Sequence, residues 1–498
     1  MLSSSERRSE SGSKHVPITA RSFHFVSVQG PDEAQDKSKR RAARSHAVKQ
    51  ALCRQRKQLK EKSDNFIVTK STDQPKKNAK RPRQAPVMTG SIISLSAGML
   101  DPFQSLALDS TRLQALLGDY KARQSAEPVF TFAEDMAFHN FHSVFRTGMV
   151  DPAVLNAVML TFTFAVTECI INPECLRYQG QALSHIRQKM TSLGQATSES
   201  TIGAILLLAG VEARLGMTSQ VELHMGAVKR LLETCRTAGV HLTGGIKRAI
   251  FWQDLNSCIL SGSRRIVDYT TFPELHWSRD LFSSDFFLLP PGFRTRSHLF
   301  TPEFMEVLED VQALQRVRDV GPPSESESNA PLQARINNHI ASIQSRLVDL
   351  VNLCPALECV RLATYLCSVM LTCRVWCALT IPAHVSSQLL RMLQQCQDDF
   401  LWDDHPELLL WLLYIGGAFT EKPDERAGYI ALLRSNDNAR LSDTNSSWPR
   451  LLETMKQFIW SRRAFERPVE LLWEEAFRNH ESMSLKIPDG VMDVEIVA

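Results

Sequence analysis

Residues 219–237 read SQVELHMGAVKRLLETCRT, and their spacing decides the fold class. Ser219 followed three residues later by Glu222 is the capping-box pattern, which pairs two of the amide groups that a helix start leaves free. Apolar side chains then recur at Val221, Met225, Val228, Leu231 and Leu232, at steps of three and four that fall on one face of a helix. The spacing predicts a helix over 220–237. The same period covers 153–169, 174–193, 200–215, 302–318, 332–352, 356–380, 384–401, 406–418 and 449–477. Asp151-Pro152, Asn172-Pro173 and Thr301-Pro302 each set a capping residue before a proline suited to the first helical position. Strand signals are sparse. The expected fold is all-α, a large domain of about fifteen helices.

The composition splits along the chain. The 498 residues carry 57 Lys and Arg against 54 Asp and Glu, a charge of +3. Residues 1–90 hold 21 basic and 8 acidic residues, a charge of +13, and the other 408 hold 36 and 46, a charge of −10. The division predicts a disordered basic arm over 1–90, an all-α domain over 91–480 and a tail over 481–498. A basic arm on an acidic body suggests contact with a polyanion. The N-terminus lacks the apolar core of a secretory signal. The strongest apolar stretch, LLLWLLYIGGAF at 408–419, is too short to span a bilayer, which takes roughly 20 residues. The expectation is a soluble, intracellular chain with no membrane partner. Cys354, Cys359, Cys367, Cys373 and Cys377 lie in apolar helical text and read as reduced core thiols. GPPSESESNA at 321–330 reads as an exposed loop within the body.

Residues 37–62 carry eleven basic residues against Glu61 and no Pro or Gly, which allows a helix. Lys39, Arg40, Arg41, Arg44, Lys49, Arg54, Arg56 and Lys57 are its candidate polyanion or DNA contacts, since Lys and Arg release counterions from phosphates. Leu52, Leu59 and Phe66 repeat every seven residues, but Pro75 closes the window before the three or four heptads a zipper needs. Lys76, Lys77, Lys80, Arg81 and Arg83 form a compact cluster suited to a nuclear import receptor.

Metal and catalytic chemistry find little support. Cys53 sits in a basic context like that of a zinc cluster, yet the next cysteine is Cys169, and one thiolate cannot build a tetrahedral site. His139/His142 and Cys373/Cys377 have ligand-like spacings without a second pair. Asp398, Asp399, Asp403 and Asp404 resemble a magnesium-binding aspartate run, but the spacing is one residue too long, and Asp404 or His405 capping a helix at Pro406 fits better. Nucleophile elbows, Walker loops, zinc-protease and dinucleotide motifs are absent, so no enzyme, cofactor or metal site is expected. One cluster in the body stands out: Trp252, Asp254 and Asn256 on an apolar element, with Arg264 and Arg265 close by. Buried polar groups require partners, so this is either a structural hydrogen-bond network or a small-metabolite pocket.

Several blocks stand in a recognisable order: DPFQSL at 101–106, LLGDY at 116–120, LRYQG at 176–180, HMGAVK at 224–229, FWQDLN at 251–256, GSRR at 262–265, LWLLYIGG at 410–417, Glu425-Arg426 and FIW at 458–460. In order and spacing they resemble the fungal-specific transcription factor domain, the helical regulatory region of fungal zinc-cluster regulators. In the head, FVSV at 25–28, PDEA at 31–34 and RRAARSH at 40–46 resemble the leader of relatives that lack the zinc cluster. The resemblance implies an α-helical regulatory domain, nuclear location and control of metabolic or biosynthetic genes, with the transcription machinery or another regulator as partner. Without the cluster, DNA contact through the arm would be non-specific. The alternative is a cytoplasmic helical scaffold or metabolite-binding protein tied to a biosynthetic pathway.

Overall fold

The computed structural model describes residues 110–119, 121–122, 151–279, 286–320, 330–372, 377–420, 422–441, 445 and 447–484. The chain divides into two units, Met1–Ile92 and Ile93–Ala498, and every described residue belongs to the second. The basic arm with the helix expected over 37–62, the expected import cluster, Cys53, His139, His142, Cys373 and residues 321–329 of the Ser/Glu loop lie outside the described residues, as do residues 485–498 of the tail.

Helix starts follow the sequence closely. Asp151 accepts from the Ala153 N–H at 3.0 Å and opens the helix Pro152–Val166; Asn172 accepts from the Cys175 N–H at 2.8 Å, and Thr301 from the Phe304 N–H at 3.2 Å. Numbered along the chain, the first group is α1 (Ser110–Gly118), α2 (Pro152–Val166), α3 (Pro173–Lys189), α4 (Leu193–Ala196), α5 (Glu199–Arg214), α6 (Thr218–Ala238) and α7 (Gly244–Ser261). The second group is α8 (Pro291–Arg294), α9 (Pro302–Val320), α10 (Ala330–Asp349), α11 (Pro355–Thr372), α12 (Cys377–Gln395), α13 (Leu401–Asp404), α14 (Pro406–Ala418), α15 (Pro423–Asn436), α16 (Trp448–Met455) and α17 (Arg462–Ser484). The fold is all-α, and the described residues contain no strand.

Each group builds its own core. In the first, α2 packs on α3 and α5, and α5 on α6 and α7, around Phe162, Phe164, Ile205, Leu208, Met225 and Phe251. In the second, α11 packs on α12 and α9 on α10, around α14, which is buried from Leu408 to Gly417 and also touches α15 and α17. Gly416 and Gly417 explain how α14 sits so deep. A Cβ on Gly416 would lie 2.3 Å from the Tyr429 hydroxyl, and one on Gly417 2.7 Å from Leu472. The close approach is locked by two bonds: Tyr429 donates to Ser386 O, and the Ser386 hydroxyl donates to Gly416 O, both at 2.8 Å.

Several local expectations are corrected. The capping box does not form: α6 starts two residues early, with Met217 at the N-cap, and Ser219 falls inside the first turn. Its place is set by the left-handed Gly216 (φ 69°) and by Thr218, whose hydroxyl donates to Ser261 O at 2.5 Å, while Glu222 accepts from the Arg264 N–H. The helix expected over 449–477 is two, because Phe458, Ile459 and Trp460 leave the helix to plug the core, where Ile459 O accepts from Trp411 Nε1 at 3.1 Å. Pro382 lies within α12 rather than between helices. α15 breaks no rule of spacing but was not anticipated. Cys359 and Cys367 are buried as expected; Cys354 is exposed, ahead of α11. No helix of the described residues is long and apolar enough to cross a membrane.

Replacing Gly416 with Ala should destabilise the domain by about 1–3 kcal/mol, the usual range for overpacking. Gly180, on the exposed face of α3 with open space around it, is the control. Gly180→Ala should stabilise by about 0.5–1 kcal/mol. Urea denaturation of both variants checks the contrast.

Candidate functional site

The two cores meet where α7 lies against α10, and Trp252, Leu260 and Val348 pack against both. Local geometry puts charge there. α7 starts at Thr243, whose hydroxyl accepts from the Ile246 N–H, and ends at Gly262 in the left-handed region (φ 69°), where a side chain would be strained. The chain turns back at Gly262, so residues 265–267 run past Asp254.

Asp254 is buried and fully engaged. It accepts from the Ile266 N–H at 3.0 and 3.1 Å and from the Val267 N–H at 3.2 Å, and Arg265 Nε stands 3.5 Å from its Oδ2. Arg265 then crosses to α10: its Nη1 donates to the Ser345 hydroxyl at 2.6 Å and lies 3.9 Å from Asp349. Its guanidinium also lies over Phe251, 5.4 Å from the ring centre. Burial pushes the Asp254 carboxyl up to about 6, against the opposing pull of the Ile266 amide, the Arg265 guanidinium and the Val267 amide.

A second arginine, this one on α7 itself, repeats the connection. Arg248 Nη1 donates to Asn337 Oδ1 at 2.9 Å and to Asn338 Oδ1, and Nη2 donates to Glu274 O. Asn338 closes the arrangement by donating to Glu274 O at 3.1 Å and His276 O at 3.0 Å.

An adjacent face of α10 meets a buried carboxylate. Asp310 on α9 is completely buried, paired with Arg279 Nε at 2.9 Å and with Arg346 Nη2. Arg279 also binds Glu309 at 2.9 Å, and Arg346 binds Glu306 at 3.2 Å. His339 places Nε2 3.6 Å from Asp310 and stacks on Trp277 with ring centres 3.9 Å apart. Burial pushes the Asp310 carboxyl up, but His339 and Arg346 outweigh it and hold the group below the usual carboxylate range. Burial pushes the His339 imidazole down, against the opposing pull of Asp310.

Of the residues singled out in the sequence, the structure brings together Asp254 and Arg265, while Trp252 packs with the apolar residues of both cores. Arg264 diverges: its side chain is exposed, and only its N–H joins the fold, donating to Glu222 at 3.3 Å. Asn256 is half-buried and outside the network. Trp252 meets Phe251 edge-on with ring centres 5.2 Å apart. The Asp310–Arg346–His339 cluster was missed. Its signal was present: Asp310 stands on the Val307–Val311–Leu314 face of α9, and His339 on the Ile336–Ile343 face of α10. In the aspartate run, Asp399 accepts from the Leu401 N–H at 3.0 Å and Asp403 pairs with Arg440 at 2.6 Å. His405 holds the N-cap position before Pro406 without a side-chain cap. Among the described residues no group of three or more His, Cys, Asp or Glu side chains is placed to hold a metal ion.

A family model described as the fungal specific transcription factor domain matches residues 144–485, about two thirds of the chain. The chain belongs to that family. The match takes in the second core, the first core from α2 onward and the whole α7–α10 seam, so the polar network lies inside the fungal-specific transcription factor domain. The family is one of transcription factors and not of enzymes. No curated protein and no solved structure matches the chain.

The Asp254 geometry carries a pH dependence. Its folded pKa of about 6 lies above the unfolded value of about 3.9, so its contribution is full below pH 4 and is lost as pH rises through 6. The stability of wild type relative to Asp254→Asn should therefore fall by roughly 3 kcal/mol between pH 4 and pH 7 and level off above. Thermal denaturation of both proteins across that range measures the difference.

Proposed function

We propose that this protein is a transcription regulator of the fungal type that acts in the nucleus through protein or metabolite contacts of its helical domain. The observation that carries the proposal is the family match over residues 144–485, which supports a regulator-like role. Metabolic or biosynthetic genes are the proposed targets, and the transcription machinery or another regulator the proposed partner. The charge of +13 on residues 1–90 supports two roles for the arm. Lys76, Lys77, Lys80, Arg81 and Arg83 would engage an import receptor. Lys39, Arg40, Arg41, Arg44, Lys49, Arg54, Arg56 and Lys57 would contact DNA phosphates without reading sequence.

For the body, we favour the structural-network role of Trp252, Asp254 and Arg265 over a metabolite pocket. Asp254 spends both oxygens on backbone amides and Arg265, which leaves it little capacity for a ligand. Any metabolite contact would then lie elsewhere on the domain.

A fluorescent fusion of the full chain should concentrate in the nucleus, and changing the five import residues to Ala should redistribute it to the cytosol. A fusion that is cytosolic with and without the change would contradict the nuclear role and favour a cytoplasmic scaffold. Binding of the full chain to duplex DNA should ignore sequence and weaken at least about a hundredfold between 50 and 200 mM salt. A sequence preference that persists in high salt would overturn the phosphate-contact role.

A further inference from the structure

Two thiols face each other inside the second core. Cys359 lies on α11, and Cys396 follows α12, where its N–H still donates to Met392 O at 3.0 Å. Their Sγ atoms stand 3.8 Å apart. A disulfide needs about 2.0 Å, a gap that small rotations of two side chains can close. Cys359 is completely buried, while Cys396 is 7% exposed, at the edge where α12 gives way to the turn 396–405. That turn is pinned to the core next to the sulfur: Trp402 is buried, and its Nε1–H donates to Cys396 O at 2.7 Å.

The pair is chemically unequal. Its contact with Cys396, together with burial, holds the Cys359 thiol well above the ordinary thiol range, so the proton of the pair stays there. The same contact draws Cys396 down, against burial. Cys396 is therefore both the sulfur that ionises first and the one nearer to solvent, the two properties that select a site of oxidation.

We propose that Cys359 and Cys396 are a redox modification site that closes to a reversible disulfide when the protein meets a hydroperoxide. The Cys396 thiolate attacks the terminal peroxide oxygen. The O–O bond breaks, giving a sulfenic acid and an alkoxide or hydroxide that takes up a proton. Cys359 Sγ then attacks the sulfenic sulfur; the S–O bond breaks, and the hydroxyl leaves with the Cys359 proton as water. Two thiols are oxidised by two electrons, and the peroxide is reduced by two. A dithiol reverses the bond by exchange. The disulfide ties α11 to the end of α12 and stiffens the turn 396–405, which presents Phe400, 82% exposed, between Asp399 and Asp403. The site does not depend on the regulatory role proposed above.

The test uses the full chain, reduced, desalted, treated with hydrogen peroxide and blocked with N-ethylmaleimide before a non-reducing digest. Mass spectrometry should find the peptides of Cys359 and Cys396 joined, 2 Da below the sum of the two thiol peptides, and separated again by dithiothreitol. Oxidation should also raise Tm by about 3–6 °C, and the rise should vanish in Cys359→Ala and in Cys396→Ala. Recovery of both thiols as alkylated peptides, at peroxide levels that oxidise the exposed Cys169, would overturn the proposal. So would Cys396 in higher oxidation states without a cross-link, or a Tm rise that survives in either variant. Should a variant fail to fold, the wild-type peptide map decides alone.

Discussion

Arg265 is the contact on which the arrangement of the domain depends. It lies between Asp254, held in the first group of helices, and Ser345 on α10, and it is nearly out of solvent. A charge in that position is tolerated only while its partners stay in place, because losing one leaves an uncompensated buried ion at a cost of about 3–5 kcal/mol. Apolar surfaces tolerate sliding, whereas a hydrogen-bonded guanidinium specifies both distance and direction. Arg248, one end of α7 away, imposes the same condition through Asn337 and Asn338. The two cores are thus registered by two arginines rather than by grease alone.

α10 is where these constraints converge. One side carries Asn337, Asn338 and Ser345 toward α7 and the segment after it; another carries His339 and Arg346 toward Asp310. A displacement of α10 would disturb both polar clusters at once. The helix therefore joins the halves of the domain by geometry that is specific rather than merely adhesive.

Much of this was legible in the sequence. Asp151, Asn172 and Thr301 cap the helices that their Asp-Pro, Asn-Pro and Thr-Pro pairs announce, because a cap and a first-turn proline act locally. The period of three and four placed most helices, and the ordered blocks pointed to the family that the match over residues 144–485 shows. What failed depends on distant chain. Ser219 and Glu222 have the local chemistry of a capping box, but Ser261 and Arg264, some forty residues on, set where α6 begins. Phe458 to Trp460 look helical until Trp411 and Ile459 are seen paired. Asp254 was visible as a polar residue on an apolar element, yet only the turn at Gly262 decides that Arg265 faces it and Arg264 does not. His339 and Asp310 were missed because each interrupts an apolar face singly; their pairing spans two helices.

The claim that the seam registers two cores is tested most directly by hydrogen exchange of the full chain in rising urea, read by mass spectrometry and comparing Arg265→Met with wild type. The account predicts that peptides of α2–α6 and of α11–α17 lose protection together in wild type. In the variant, the first group should open at lower urea than the second, with protection reduced at least about tenfold. Equal loss in both groups, or no change in either, would contradict it.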